Sequence, residues 1–173
     1  MFPPPTSTIP PTINSGSLGE AGAPTQPIQP FALVMPWPVG AEIPAHNTCD
    51  GDDIAPAVSW SGVPDGTVEL ALVVTDDDAG GFVHWILTGF DPAIRSMLEG
   101  QVPLDARQWP NSYGAPRWNG PCPPAGSTHT YRFVLHALSQ SLEIADDAPV
   151  AELLAFIDGL TLASTSVTGT YGR

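Results

Sequence analysis

Apolar residues along this chain fall in short runs, and turn-forming residues separate the runs. Phe31-Ala-Leu-Val34 is a brief apolar run stopped by Pro36. Pro56-Ala-Val-Ser-Trp-Ser-Gly62 reads as a strand closed by the turn Val63-Pro-Asp-Gly66. Val68–Thr75 carries five apolar residues in a row, which predicts a central strand covered on both faces. Phe82–Phe90 and Tyr131–Leu138 predict two further core strands, and Leu160–Tyr171, rich in Thr and Val, a last one. Only Ala148–Asp158 has helical periodicity. Pro149 sits in its first turn, Leu153, Leu154, Phe156 and Ile157 form its apolar face, and Gly159 is expected to end it. Asp91–Thr130, rich in Pro, Gly, Asn and Trp, reads as one long functional loop. Strands joined by turns favour a mostly β fold over a doubly wound α/β sheet: an antiparallel or mixed β-sandwich with a short C-terminal-region helix.

Residues 1–30 break the pattern, with eight prolines and Glu20 as their one charge. Such a segment buries too little apolar area to offset its ordering entropy, so a disordered, partly polyproline-like leader is expected before a domain at 31–173. It serves either as a plain tail or strap or as a ligand for a partner. No signal peptide or apolar run of membrane-spanning length is legible in the sequence, which makes the cytoplasm the default expectation.

The net charge is −13 and the five basic residues are all arginine. That balance disfavours nucleic acid and anionic membrane surfaces, both of which call for clustered Lys and Arg. It leaves room for a local anion site made of backbone N–H groups and a few side chains. Cys49 and Cys122 allow one disulfide and no metal framework; no cofactor is expected.

Two constellations carry candidate chemistry. In Thr75-Asp-Asp-Asp-Ala-Gly-Gly-Phe-Val-His-Trp85, three carboxylates leave a buried strand and His84 stands in the next one. A hairpin would bring Asp76 near the imidazole, favouring its charged form, which can donate to an anion. The alternatives are a calcium-binding turn, for which the ligand spacing is wrong, and a plain core histidine. In Gly120-Pro-Cys-Pro-Pro-Ala-Gly-Ser-Thr-His-Thr-Tyr131, prolines stiffen the backbone ahead of His129 and Tyr131, which share one strand face. His46 and His136 read as structural, and Trp37, Trp60, Trp109 and Trp118 as core or loop anchors.

From Phe31 to Arg173 the chain resembles the phosphatidylethanolamine-binding proteins, in particular their bacterial Raf-kinase-inhibitor-like branch. The resemblance rests on Ile43-Pro-Ala-His-Asn-Thr-Cys-Asp-Gly51, Pro56–Pro64, Asp76-Asp-Asp-Ala79, Phe82-Val-His-Trp85, Asn111-Ser-Tyr-Gly114, Gly120-Pro-Cys-Pro-Pro124, His129-Thr-Tyr131 and Gly169-Thr-Tyr-Gly-Arg173, in that order. It implies an antiparallel β-sandwich and a pocket for phosphate, phosphorylated head groups or similar anions. By motif the pocket falls on Asp76, Asp78, His84, Pro123, Pro124, His129 and Tyr131. Asp77 and Gly80 stand where the family's turn has prolines, and Thr130 where it has arginine, so a looser turn and a more negative mouth are expected. Cys49 and Cys122 both lie in matched motifs. A disulfide there would clamp the Cys-Asp-Gly loop to the proline loop and point to a secreted or periplasmic setting; free thiols are the alternative. Eukaryotic members run on past the last strand, whereas Arg173 is the last residue here, so kinase regulation is not carried over.

Three functions follow in order. The first is non-catalytic binding of a small anionic or phosphorylated ligand, possible as a regulatory event. The second is a small-molecule isomerase or hydrolase using Asp76, His84 and His129 as acid and base, although no nucleophile elbow or metal motif supports it. The third is an interaction module that inhibits a protease or kinase. Either a monomer or a homodimer is compatible with the sequence.

Overall fold

The computed structural model describes residues 29–173. The leader expected at 1–30 therefore lies outside the described residues except for Gln29 and Pro30, whose carbonyls pack against Gly62. Eight strands and one α-helix follow: β1 Ala32–Val34, β2 Val58–Ser61, β3 Glu69–Asp76, β4 Phe82–Phe90, β5 Ser96–Met97, β6 Arg107–Gln108, β7 Thr128–Leu138, α1 Val150–Leu160 and β8 Thr161–Gly172. They form a three-stranded sheet, β1-β2-β5, and a five-stranded sheet, β6-β4-β3-β7-β8. Every ladder between named strands is antiparallel.

The apolar run of β3 divides between two cores because side chains alternate across a strand. Leu70, Leu72 and Val74 join Trp60, Trp85, Phe90, Phe133 and Leu135 between the two sheets. Ala71 and Val73 face the other way, toward Leu153 and Ile157 of α1. Both faces of the central strand are thus covered, as its composition predicts. Trp37, Trp60, Trp109 and Trp118 are all buried.

Three expectations need correction. Asp91–Thr130 is not one loop: it contains β5 and β6, and its later part is stitched along β4 by Trp109 N–H to Ile86 O (3.1 Å) and Ser112 N–H to Val83 O (2.9 Å). Gly159 does not end α1. The helix runs on to Leu160, and the Thr161 hydroxyl donates to the Ile157 carbonyl at 2.7 Å. Phe156 lies on the outer face of α1 and is exposed, because Leu153 and Ile157, four residues apart, already fill the stripe against the sheet.

One irregularity matters most. In the β3–β4 ladder Val74 pairs with Trp85 and Thr75 with Val83, which leaves His84 as an extra residue. It is a β-bulge, and bulges re-aim side chains and release backbone groups from the ladder.

Candidate functional site

At the end of β3, Asp76 lies opposite Phe82 of β4 and opposite Tyr131 of β7. The bulge sends His84 toward the same place, with its ring 5.4 Å from Phe82 and 5.2 Å from Tyr131. His129, one side-chain period before Tyr131, has its ring 6.5 Å from that tyrosine. The strand ends therefore gather Asp76, His84, His129 and Tyr131 around one spot. Tyr113 forms its lip, half-exposed, with rings 4.9 Å from Phe82 and 6.0 Å from His84.

Asp76 is buried and each of its oxygens has a different task. Oδ1 accepts from the N–H groups of Asp78 (2.9 Å) and Ala79 (3.0 Å), closing an Asx turn on its own loop. Oδ2 accepts from His129 Nδ1 at 2.7 Å. The direct partner of Asp76 is thus His129. His84 feels Asp76 only as a nearby charge, contrary to the Asp76–His84 pair the sequence suggests. The His84 ring nitrogen Nδ1 is taken instead by the Asn119 carbonyl.

The 111–119 segment holds His84 firmly. His84 Nδ1 is 2.7 Å from the Asn119 carbonyl. A carbonyl can only accept, so the proton sits on Nδ1. Burial outweighs the Asn119 bond and the charges of Asp76 and Asp53, and pushes the His84 pKa below its ordinary value. The ring is therefore neutral near pH 7, with a lone pair on Nε2. This reverses the expectation of a standing imidazolium at His84. Its carbonyl, freed by the bulge, accepts from Asn111 Nδ2 at 3.0 Å. Asn111 Nδ2 also reaches Arg117 O (3.0 Å) and Asn119 Oδ1 (2.8 Å), while its Oδ1 accepts from Tyr113 and Ala115 N–H. One buried amide so orders the whole lip.

The Tyr131 side chain is fully buried and its hydroxyl has no hydrogen bond of good geometry, although Asp76 and the Cys122 backbone lie beside it. Burial first, then the Asp76 charge, raises its pKa strongly, so it stays a proton donor. The proline loop behind it is tightly docked. Gly120 N–H donates to Asp53 Oδ1 at 2.7 Å, and Cys49 N–H to Pro121 O at 3.1 Å. Cys49 and Cys122 are bonded, with S–S 2.04 Å and Cα atoms 5.4 Å apart. Pro123 is buried, whereas Pro124 is exposed and opens the turn into β7, its carbonyl accepting from Ser127 N–H (3.0 Å) and Oγ (2.6 Å).

The acidic turn is neither loose nor unopposed. Asp78 Oδ2 accepts from Thr130 N–H at 2.7 Å, so this carboxylate ties the turn to β7. Asp77 takes a forked contact from Arg132, whose nearest nitrogen is 2.6 Å away. Arg132 stands two residues after Thr130 and supplies a cation on the same strand face. Among the described residues no group of three or more His, Cys, Asp or Glu is placed to hold a metal. Asn111, Asn119, Asp53 and Tyr113 are the members that sequence reading missed. Asn111 and Tyr113 lie in a quoted motif, but their tasks are carried by contacts to β4: Asn111 to the His84 carbonyl, Tyr113 to the rings of Phe82 and His84.

Open cavities lie on the surface outside the site. One of about 380 Å³ lies beside it, lined by Asp53, Trp85, Gln108, Arg117 and Trp118. Of the two histidines expected to be structural, His46 bonds Glu99 at 2.7 Å on the surface and His136 bonds the Thr161 hydroxyl at 3.1 Å.

The chain is similar to known proteins along almost its full length. It is 37% identical over 166 residues to LppC of Mycobacterium tuberculosis, a protein named as a candidate lipoprotein; the match covers 94% of this chain and 82% of LppC. It is 37% identical over 142 residues to the Aquifex aeolicus protein called UPF0098, covering 78% of this chain and 83% of that one. The solved structure of Chlamydia trachomatis CT736, described as a candidate homologue of the phosphatidylethanolamine-binding proteins, superposes with TM-score 0.76. It shares 30% identity, with 83% of this chain and 97% of CT736 covered. Escherichia coli YbcL, described as a member of the mammalian family of that name, has the same fold, at TM-score 0.76 and 24% identity over 83% of this chain and 98% of its own. The family model described as phosphatidylethanolamine-binding protein matches residues 36–172, and the chain belongs to that family.

Proposed function

We propose that this domain is a non-catalytic binder of a small anionic or phosphorylated ligand, held where His84, His129 and Tyr131 converge. One observation carries the reading. Both imidazoles are locked through Nδ1, by the Asn119 carbonyl and by Asp76, so both keep Nε2 for a ligand while flanking a buried tyrosine hydroxyl without a partner. A buried polar group left unpaired costs stability, and a ligand oxygen beside Tyr131 would remove that cost. The test is calorimetry with O-phosphoethanolamine on the native protein and on His84→Ala. Binding that weakens at least tenfold in the variant supports the site; unchanged affinity rejects it.

The Asp76–His129 bond favours one second reading, since a carboxylate-oriented imidazole is also the geometry of a general base. Turnover of a small ester or amide that disappears in Asp76→Asn would move the protein to that class.

The bonded cysteines favour work outside the cytoplasm, in an oxidising compartment, and replace the default drawn from the lack of a legible signal. The similarity to LppC points the same way. No helix among the described residues is long and apolar enough to cross a membrane.

A further inference from the structure

The anion-binding reading leaves open which ionic form of a phosphoryl group the site accepts, and the hydrogen-bond directions bear on that choice. His84 Nδ1 must carry the proton because the Asn119 carbonyl, 2.7 Å away, has none to give. In a neutral ring Nε2 is then an acceptor. A fully ionised phosphoryl oxygen is also only an acceptor, so the two would face each other lone pair to lone pair.

The charged groups around His84 give no relief to such an oxygen. Asp76 approaches from β3 and Asp53 from the segment ahead of β2. Tyr113, from the segment after β6, and Tyr131, from β7, are neutral phenols. His129 commits Nδ1 to Asp76 and keeps only Nε2. The nearby guanidinium of Arg132 is committed to Asp77, and that of Arg173 to Asp50 at 2.9 Å. His84 as a whole residue is 3% exposed.

We propose that the site selects a phosphomonoester in its singly protonated, monoanionic form and discriminates against the phosphodiester of an intact phospholipid headgroup. This rests on the anion-binding reading above. The P–O–H of the monoanion donates to His84 Nε2, an ionised oxygen accepts from the Tyr131 hydroxyl, and no group in the protein has to change its charge. A monoester, whose second ionisation lies near pH 6, carries that proton in most molecules at about pH 5 and in roughly a tenth of them at about pH 7. A diester has no such proton. It binds only if His84 takes one from solvent, against the burial that keeps the ring neutral.

The experiment compares two probes with the same amine, O-phosphoethanolamine and glycerophosphoethanolamine, on the native protein at about pH 5, where the monoester is mostly monoanion. Calorimetry is expected to give at least roughly tenfold tighter binding of the monoester. Its affinity should then fall about tenfold per pH unit above the ligand's second ionisation, and the bound phosphorus resonance should sit at the monoanion position. His84→Gln offers an amide N–H that a diester oxygen can use, so the preference should shrink. Equal or tighter binding of the diester, or a bound resonance at the dianion position, overturns the selectivity while leaving an anion site standing. Binding of neither probe overturns both readings.

Discussion

Asp76 Oδ2 stands 2.7 Å from His129 Nδ1, while Oδ1 of the same carboxylate receives two backbone N–H groups of its own loop. One buried side chain thus shapes the acidic turn and orients an imidazole on a strand 53 positions later. Asp76→Asn separates the two tasks. The amide oxygen can still close the turn, but its NH₂ meets the Nδ1–H donor of His129. The substitution is expected to cost about 1.5–3 kcal/mol in urea unfolding, the range for a lost hydrogen bond to a charged group, and to abolish measurable anion binding. Full stability with binding intact would show that the pair is incidental.

Gly120 is confined by space alone. A Cβ there would lie 2.3 Å from the Asn47 carbonyl and 2.6 Å from Asp53 Oδ1. Gly120→Ala must push the proline loop away, at roughly 1–3 kcal/mol, and should weaken anion binding with it. Gly114 is the contrast, since it has φ +77° and nothing within 4 Å of an added Cβ. Gly114→Ala should therefore cost only the left-handed backbone penalty, about 1–2 kcal/mol, with binding kept. Thermal melts of both variants, read beside calorimetry, distinguish crowding from backbone conformation.

The Cys49–Cys122 bond spans a sequence separation of 73 residues. Removing it with Cys49→Ser/Cys122→Ser should lower stability by about 2–5 kcal/mol. The hydrogen bonds from Gly120 to Asp53 and from Cys49 to Pro121 keep the loops apposed without the bond, so the double variant should still fold. A melting curve of the native protein unmoved by strong reductant would contradict this.

Burial lowers the pKa values of both His84 and His136 below the ordinary histidine value near 6.5. The unfolded chain then binds more protons than the folded one at mildly acid pH, so stability rises with pH across that window. The contribution is complete above about pH 6.5 and is lost as the pH falls through the lowered folded values. His136→Gln keeps a partner for the Thr161 hydroxyl and does not titrate. Urea unfolding between about pH 5 and 7 should show a shallower slope in this variant; an unchanged slope would assign the effect elsewhere.

Much of this fold is legible because apolar alternation and turn residues act locally. The run Leu70–Val74 is readable as a doubly covered strand, whereas only the family resemblance joins the motifs around Asp76 and His129 into one site. The hand of the site is not readable. Nothing in Phe82-Val-His-Trp85 marks His84 as unpaired, because a bulge depends on the partner strand's register. Asn111 is invisible for a similar reason: its contacts are to carbonyls of His84 and Arg117, and any residue type presents a carbonyl. Phe156 looks like core on a helical wheel, yet only the packed sheet decides which two positions of α1 are used.

The bulge has a consequence for how such a site arises and disappears. If His84 were deleted, Val83 and Trp85 would become neighbours, matching Thr75 and Val74, which already are. The ladder would close in register, with every flanking side chain on its present face. The histidine is thus supernumerary to the ladder, and what its loss would undo is the lip that Asn111 and Asn119 build on it. An insertion or deletion of one residue, with no substitution anywhere, would add or remove one wall of the candidate site while the strands on either side keep their register.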